Sequence, residues 1–477
     1  MNLKPQHCDV SAEGWPLWLL ITLITFGGAL AQTQELHGTA AFYAALSREM
    51  LELRNFLAPF EGPYAYLLKP PLALWLSAAS SALFGINDFA MTLPSRLGGL
   101  ACAWLTYLLA SRLYGQRAGR FAALVFVTNG IYIQFTANFR MDSLMTCGAL
   151  LSLWGYLNLP RSRAACALFG GLAIAALTKG PMVFAMSALF LPHAYWSAHW
   201  RATTRRAWAW VLLLLIPAAW YAYLYGLHGV AVQQQLNEDF WRGDTAIGLT
   251  AVQSAALEYG WKPLRRLWPW LPFMLWALFA TVHGLWNRQV ERQFKADILL
   301  ILSLLTLNLA IAVIKPDPDV RYLYPSLPLL AIFTGSLLSR FLGPRALRWS
   351  AQALRVCVAV TALAIAAMYV RGTHDRQGLE TFQKLAGERA LTAINTVIIN
   401  ENITSLNAPR RNDPVADSVY YYTGLKPQSI LWPKSRKGLP HEIRYFVTRR
   451  TKAYQATLAT LGLKLVARST KLLVFER

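Results

Sequence analysis

Long apolar runs recur along most of the chain, and this feature restricts its fold more than any other. They lie at 15–33, 97–111, 121–139, 143–159, 164–178, 181–198, 207–227, 267–286, 298–314, 322–339 and 356–370. Such runs suit helices that cross the hydrocarbon core of a bilayer, which is about 30 Å thick. Because 55% of the residues are hydrophobic and 15% are charged, most of the chain is predicted to lie in lipid. The sequence therefore predicts an all-α polytopic membrane protein with about 11 to 13 transmembrane helices.

The formal net charge of +22 raises the question of an anionic partner. A nucleic-acid-binding protein gathers its basic residues on a polar domain or stripe. Here the basic residues separate apolar runs, so no nucleic-acid partner is predicted. The pattern suits loops that face anionic membrane lipids and a site for a phosphorylated ligand. The five cysteines show no spacing typical of a disulfide framework or a metal cluster.

Charge also predicts which side of the membrane each connection faces. Short arginine-rich connections are typical of the cytoplasmic side, and they lie at 112–120, 161–163, 201–206, 288–295 and 340–348. Connections of mixed charge are predicted to face outward, and they lie at 34–92, 140–142, 179–181, 228–266 and 315–321. The two classes alternate if segment 70–84 does not span. We predict that this segment is a helix along the outer surface, because Pro70-Pro71 suits a helix start and Trp75 suits an interface.

The composition becomes polar after residue 372, which predicts a transmembrane domain at 1–371 and a soluble domain at 372–477. Short β-rich runs lie at Thr396–Ile399, Ser418–Tyr422, Ile443–Thr448 and Lys471–Glu476. Helix-like stretches lie at 379–392 and 452–461. Together they predict a small α/β domain on the extracytoplasmic side, which in a bacterium is the periplasm.

Several charged residues fall in the outward-facing connections. Lys69 precedes Pro70-Pro71, Asp142 follows the run 121–139, and Lys179 lies between two apolar runs. Each has a simpler explanation when it is considered alone. Arg140 and Asp142 can be an ion pair that ends a helix, and Lys69 and Lys179 can extend from the membrane boundary toward the lipid headgroups. The other candidates are Glu238, Arg242, Lys315 and Arg321.

Together these cations and carboxylates suit a phosphate-bearing lipid. Lysine and arginine neutralise phosphate, and a carboxylate can act as a general base. Because no nucleotide pool exists outside the cytoplasm, an activated sugar used there would arrive on a lipid carrier.

Six segments resemble motifs of a known family. They are Tyr43–Leu51, Tyr66–Leu72, Arg140–Asp142, Thr178–Gly180, Glu238–Arg242 and Arg321–Pro325. In order and spacing they are similar to motifs of the bacterial aminoarabinose transferases and, more distantly, of the protein mannosyltransferases. Both belong to the GT-C superfamily, whose sugar donors are polyprenyl-phosphate sugars. The resemblance covers about residues 15 to 345.

The resemblance implies a reaction and a set of roles. A sugar would pass, with inversion, from polyprenyl phosphate to a lipid, polysaccharide or protein acceptor, lipid A among them. The reaction would occur at the periplasmic face of the bacterial inner membrane, and family members differ in whether they need a divalent cation. The residues implied in substrate binding are Tyr66, Lys69, Lys179, Glu238, Arg242, Lys315 and Arg321, and Asp142 would orient the acceptor or take part in the chemistry.

One position departs from the family. Where the relatives carry an acidic pair, this chain has Thr39-Ala40, and neither side chain can take up a proton as a carboxylate does. Glu35 could supply the missing carboxylate. Asp142 could be the sole base, or an anionic acceptor could need none.

Two other classes of function compete with an active enzyme. Without a base, the chain would be a degenerate relative that binds a lipid-linked sugar or a partner enzyme. A transporter is disfavoured, because transporters place ionisable residues near mid-membrane and the apolar runs here are nearly free of charge.

Overall fold

The computed structural model of the chain is mostly helical. It describes residues 15–30, 36, 38–61, 64–159, 161–190, 207–234, 266–286, 291–314, 320–342, 355–367, 383–387, 396–400, 414–423, 428–431, 444–449, 463–468 and 472–476. The first eight helices are α1 (Trp15–Leu30), α2 (Thr39–Leu53), α3 (Leu72–Phe84), α4 (Asp88–Tyr114), α5 (Gln116–Val127), α6 (Gly130–Ala137), α7 (Asp142–Leu157) and α8 (Ser162–Lys179). The others are α9 (Met182–Ser187), α10 (Ala207–His228), α11 (Leu271–Trp286), α12 (Glu291–Ile314), a 3-10 helix (Val320–Ser326), α13 (Leu327–Phe341), α14 (Arg355–Ala367) and α15 (Pro414–Thr423).

The chain divides into two compact units. The first consists of Met1–Phe26, Leu67–Ala73 and Pro94–Thr361, and the second of Gly27–Tyr66, Leu74–Leu93 and Ala362–Arg477. In the first unit α7 packs on α8, α5 on α13, and α10 on α8. The predicted boundary between domains at residues 371 and 372 stays a prediction.

Small residues let the helices of the first unit approach closely. A Cβ atom added at Gly148 of α7 would lie 2.5 Å from the Gly171 carbonyl oxygen of α8. The Ser152 hydroxyl donates to the Leu168 carbonyl oxygen at 2.9 Å. Such contacts fix how two helices pack when side chains cannot separate their backbones. Because α7 and α8 form a hairpin of similar helix lengths, the first residue of α7 and the last residue of α8 lie at the same end.

Residues 121–139 are predicted as one apolar span, and the structure places two helices there. Helix α5 ends at Val127 and α6 begins at Gly130. The Asn129 side chain accepts a hydrogen bond from the Ile131 N–H at 2.9 Å and so caps α6. The Thr128 hydroxyl accepts from the Trp270 indole at 2.8 Å. These polar contacts stabilise the break, since asparagine favours a helix start over a helix interior.

The apolar helices differ in length. Among the described residues, one continuous helical segment is both long and apolar enough to cross a bilayer: Arg321–Phe341, which joins the 3-10 helix and α13. Shorter apolar helices of 10–17 residues include Leu271–His283, Ala296–Ile311 and Arg355–Ala367. The number of spans stays a prediction. The segment predicted as a surface helix after Pro70-Pro71 is helical as α3, and its placement along the membrane stays a prediction as well.

The second unit contains α2, α3 and a five-stranded sheet. A short hairpin pairs β1 (Phe60–Glu61) with β2 (Tyr64–Ala65). The sheet strands are β3 (Thr396–Asn400), β4 (Gln428–Leu431), β5 (Tyr445–Arg449), β6 (Lys464–Arg468) and β7 (Leu472–Glu476). Their order is β4-β3-β5-β7-β6, with β3 parallel to β4 and β5, and β7 antiparallel to β5 and β6.

Three of the four predicted strand runs contain a strand, and one does not. Strands β3, β5 and β7 fall on predicted runs, whereas β4 and β6 were not anticipated. The strand predicted at Ser418–Tyr422 is wrong, because these residues belong to α15. Of the helix-like stretches, residues 383–387 of 379–392 are helical, and 452–461 lies outside the described residues.

Tertiary contacts explain why the tyrosine-rich segment is helical. Helix α15 packs on α2, where the Tyr420 hydroxyl donates to Glu52 at 2.6 Å. The Tyr422 hydroxyl donates to Asp88 at 2.9 Å and accepts from the Leu36 N–H at 2.7 Å. Burial, and then the Glu52 carboxylate, raise the pKa of Tyr420, so its hydroxyl stays protonated as a donor. These bonds outweigh the strand preference of consecutive tyrosines.

A first prediction concerns the Tyr422 hydroxyl. Replacing Tyr422 by phenylalanine should speed hydrogen exchange at the Leu36 amide, because that N–H loses its acceptor. The cost in stability is about 1–3 kcal/mol, the usual penalty for buried groups left unbonded. Exchange mass spectrometry of the full chain measures the first effect. In the control Tyr445→Phe the bond to Leu36 remains, and equal exchange at Leu36 in both variants would contradict the assignment.

Candidate functional site

A buried ion pair lies at the centre of the candidate site. The Lys179 Nζ donates to Asp142 Oδ1 at 2.5 Å, and the two side chains are 8% and 4% exposed. Asp142 is the first residue of α7 and Lys179 the last of α8. Each charge therefore lies at the helix end where the backbone dipole favours it. Either charge buried alone would be costly, so each residue holds the other in its ionised form.

Three further cations surround this pair. The positive charges of Arg321 and Arg140 act on the Asp142 carboxylate, and those of Lys69 and Arg321 act on Lys179. We call Lys69, Arg140, Asp142, Lys179 and Arg321 the Asp142 cluster. Its four cations and one carboxylate leave an excess of three positive charges. Such an excess favours an anionic ligand, and lysine and arginine together are the side chains that bind phosphate.

The Lys69 segment approaches the end of α8 at a glycine. Gly180 has a φ of 55° and its N–H donates to the Ala176 carbonyl oxygen at 2.8 Å. A Cβ atom there would lie 2.8 Å from the Tyr221 hydroxyl and 3.5 Å from Pro70. Both the positive φ and the close approach require glycine at this position. The threonine-lysine-glycine turn thus brings Lys179 near the segment that carries Lys69.

Arg321 and Lys179 share an aromatic neighbour. The Tyr322 ring lies 5.1 Å from the Arg321 guanidinium and 5.6 Å from the Lys179 ammonium, measured to the ring centroid. The ring face attracts both cations and offsets part of their mutual repulsion. Tyr324, two residues later, is fully buried and stacks on Phe135 at 5.6 Å. The tyrosine-rich segment before α13 therefore packs with one ring against the cations and one in the core.

Of the other predicted site residues, the structure describes Tyr66. Tyr66 lies in the second unit, where it is buried and its ring contacts Phe42 at 5.3 Å. Thr39 is the first residue of α2, and the first turn of this fully described helix contains no carboxylate. The predicted residues that lie outside the described residues are Glu35, Glu238, Arg242 and Lys315.

Sequence reasoning missed two polar residues beside this cluster. Ser95 and Arg96 of α4 are 1% and 2% exposed. The Arg96 guanidinium donates to the Thr25 carbonyl oxygen at 2.7 Å and to the Ala137 carbonyl oxygen at 3.0 Å. An arginine directly before an apolar run was the available signal, since such a residue needs buried partners. Arg140 and Tyr322 belong to motif segments, but the sequence indicated no separate role for either residue.

The resemblance implies that some family members need a divalent cation and others do not. Among the described residues, no group of three histidine, cysteine, aspartate or glutamate side chains could hold a metal ion. The dependence on a divalent cation stays a prediction.

Comparisons with known proteins give a partial match to a family model and similar solved structures. A family model described as dolichyl-phosphate-mannose-protein mannosyltransferase matches residues 68–224, which include Lys69, Asp142 and Lys179. ArnT from Cupriavidus metallidurans, solved bound to undecaprenyl phosphate, superposes with a TM-score of 0.64 and 16% identity over 98% of both chains. Its apo structure gives a TM-score of 0.65 over the same shares. The chain shares the GT-C fold of the aminoarabinose transferases.

Two similar sequences are glycosyltransferases by name. The undecaprenyl phosphate-alpha-4-amino-4-deoxy-L-arabinose arabinosyl transferase 1 of Pseudomonas fluorescens is 26% identical over 64% of this chain and 54% of its own length. The corresponding transferase of Pseudomonas savastanoi is 28% identical over 64% of this chain and 58% of its own length. The sequence matches thus span little more than half of these relatives. The resemblance predicted from the motifs is confirmed at the level of family likeness and fold.

Proposed function

We propose that this chain is a membrane glycosyltransferase that moves a sugar from a polyprenyl-phosphate carrier to an acceptor. The observation that carries the proposal is the Asp142 cluster, a buried carboxylate–ammonium pair with three more cations around it. A polyprenyl-phosphate sugar offers a single phosphate next to the bond that breaks. The likeness to ArnT, solved with undecaprenyl phosphate, supports this class of donor.

The chemistry follows from where charge develops. The acceptor oxygen attacks the anomeric carbon from the face opposite the phosphate, and the bond between that carbon and the phosphate oxygen breaks. The electron pair leaves with the polyprenyl phosphate, which gains negative charge. Lys69, Lys179 and Arg321 stabilise that charge, and their buried or half-buried setting strengthens the effect. The sugar is transferred with inversion.

The ion pair gives Asp142 a conditional role. While Lys179 bonds to Asp142, the carboxylate is a poor base because an ammonium already uses its oxygen. A donor phosphate competes for Lys179 and releases the carboxylate, which then accepts the proton of an acceptor hydroxyl. A phosphate acceptor would bring its own negative charge and need no base. Glu35 is the second candidate base, on its sequence position alone.

The location is part of the proposal. We place the protein in the bacterial inner membrane, as a multi-pass chain with its active face in the periplasm. The proposal is supported by large apolar side chains on outer helix faces, such as Phe279, Leu309 and Leu363, which are 66–70% exposed. Large apolar side chains with this degree of exposure suit contact with lipid. The remaining predicted residues of the donor site are Tyr66, Glu238, Arg242 and Lys315.

A second candidate function rests on Thr39. Because the first turn of α2 lacks the acidic pair of the relatives, the chain could instead bind a lipid-linked sugar or a partner enzyme without turnover. The Asp142 cluster would then serve binding only.

One experiment separates the two functions. The full chain in lipid nanodiscs is given polyprenyl-phosphate sugars with different head groups, with and without EDTA, and released undecaprenyl phosphate is measured. The panel is wild type, Asp142→Asn, Glu35→Gln and Thr39→Asp. Turnover by wild type that disappears in Asp142→Asn or Glu35→Gln supports the enzyme. If turnover appears only in Thr39→Asp, the natural chain is the non-catalytic relative.

A further inference from the structure

Ser95 bonds to both backbone polar groups of Arg140. Its hydroxyl donates to the Arg140 carbonyl oxygen at 2.8 Å and accepts from the Arg140 N–H at 3.0 Å. Ser95 is 1% exposed, so water does not compete for these bonds. Arg140 lies two residues before Asp142, in the corner that connects α6 to α7. The Ser95 hydroxyl thus satisfies both the N–H and the carbonyl group of Arg140, which lies between the end of α6 and the start of α7.

The same face of α4 follows the chain past this corner. One turn after Ser95, a Cβ atom added at Gly98 would lie 3.1 Å from the Leu144 nitrogen. One turn further, the Cys102 thiol donates to the Ser143 carbonyl oxygen at 3.3 Å. Positions 95, 98 and 102 share one helix face, because an α-helix repeats every 3.6 residues. Small residues on this face let the backbone from 140 to 144 lie directly against α4.

We propose that Ser95 is a positioning residue for Asp142. It fixes the backbone of the corner at Arg140, while Gly98 and Cys102 fix the chain just beyond Asp142. Asp142 is held between these contacts at the distance that pairs it with Lys179. Arg140, whose charge also acts on Asp142, is held by the same bonds. The inference rests on the proposed function, because that function gives Asp142 its catalytic role. It adds Ser95 as a residue that supports the reaction without touching donor or acceptor.

The expected effect is on the chemical step. Replacing Ser95 by alanine removes both bonds and frees the corner to shift, and misplacing a reacting group costs roughly 10- to 100-fold in rate. The kcat of Ser95→Ala should fall by that factor. The KM for the donor should stay within about threefold, because Lys69, Lys179 and Arg321 lie on segments other than α4 and the Arg140 corner.

Ser303→Ala is the matched control. Ser303 is also buried, also bonds twice to backbone, at Leu189 and Leu299, and lies on α12 rather than on the α7–α8 hairpin. It should lose as much thermal stability as Ser95→Ala and keep its kcat within about twofold of wild type. Equal kcat values for the two variants would overturn the inference.

A thermal cycle tests the coupling without turnover. Apparent midpoints are measured for Ser95→Ala, Ser303→Ala, Asp142→Asn and the two double variants. The shifts should be additive for Ser303→Ala with Asp142→Asn, and fall short of the sum for Ser95→Ala with Asp142→Asn. Additive shifts in both cycles would overturn the inference. If wild type transfers no sugar, the proposed function fails, and the cycle still decides whether Ser95 acts through Asp142.

Discussion

Replacing Lys179 by methionine should abolish turnover and lower stability by roughly 3–5 kcal/mol, the cost of leaving a buried charge without its partner. The unpaired charge is the carboxylate of Asp142, whose side chain is 4% exposed. Two effects combine, because the same ammonium balances that charge and, in the proposed reaction, holds the donor phosphate. Thermal unfolding in detergent measures the first effect and release of undecaprenyl phosphate the second.

A second substitution separates the two effects. In Lys179→Met/Asp142→Leu the unpaired charge is gone, so stability should return toward wild type while turnover stays absent. The control is Arg444→Met, which breaks an ion pair with Glu476 whose arginine side chain is 64% exposed. An exposed pair of this kind contributes at most about 1 kcal/mol. Turnover in the double variant would show that neither residue of the pair takes part in the reaction.

Asp142→Asn should split catalysis from binding. Loss of the general base lowers kcat by roughly 10²- to 10⁴-fold. Binding of undecaprenyl phosphate should become tighter by up to roughly tenfold, because the carboxylate no longer competes for Lys179. Few structural defects weaken turnover and strengthen binding together. Turnover and equilibrium binding are measured on the same nanodisc preparation.

Asp297→Asn is the control for this variant. Asp297 is also buried and accepts a hydrogen bond from the Tyr114 hydroxyl at 2.5 Å, at the opposite end of α4 from Ser95. It should leave kcat and binding near wild type. Full turnover in Asp142→Asn would move the role of base to Glu35 or to an anionic acceptor. Weaker binding in Asp142→Asn would contradict the competition between carboxylate and phosphate.

Much of the candidate site could be predicted from local sequence. Lys69, Asp142 and Lys179 could be singled out because each lies within a short motif in a predicted outward-facing connection, which is a local signal. The sequence could not show that Lys179 bonds to Asp142, since 37 residues separate them. That distance is closed by the packing of α7 on α8, which depends on Gly148 and Gly171.

The same division holds for the fold. Apolar periodicity and the motifs by themselves determined a mostly helical chain, its family likeness and the strands β3, β5 and β7, because these signals are local. Only the tertiary structure decided that Ser418–Tyr422 is helical, that 121–139 breaks at Asn129, and that Ser95 bonds to Arg140. Each of these three features depends on hydrogen bonds or packing between residues that are distant in sequence and meet only in the folded chain. Local propensity differs by about 1 kcal/mol or less per residue, so a few such contacts outweigh it.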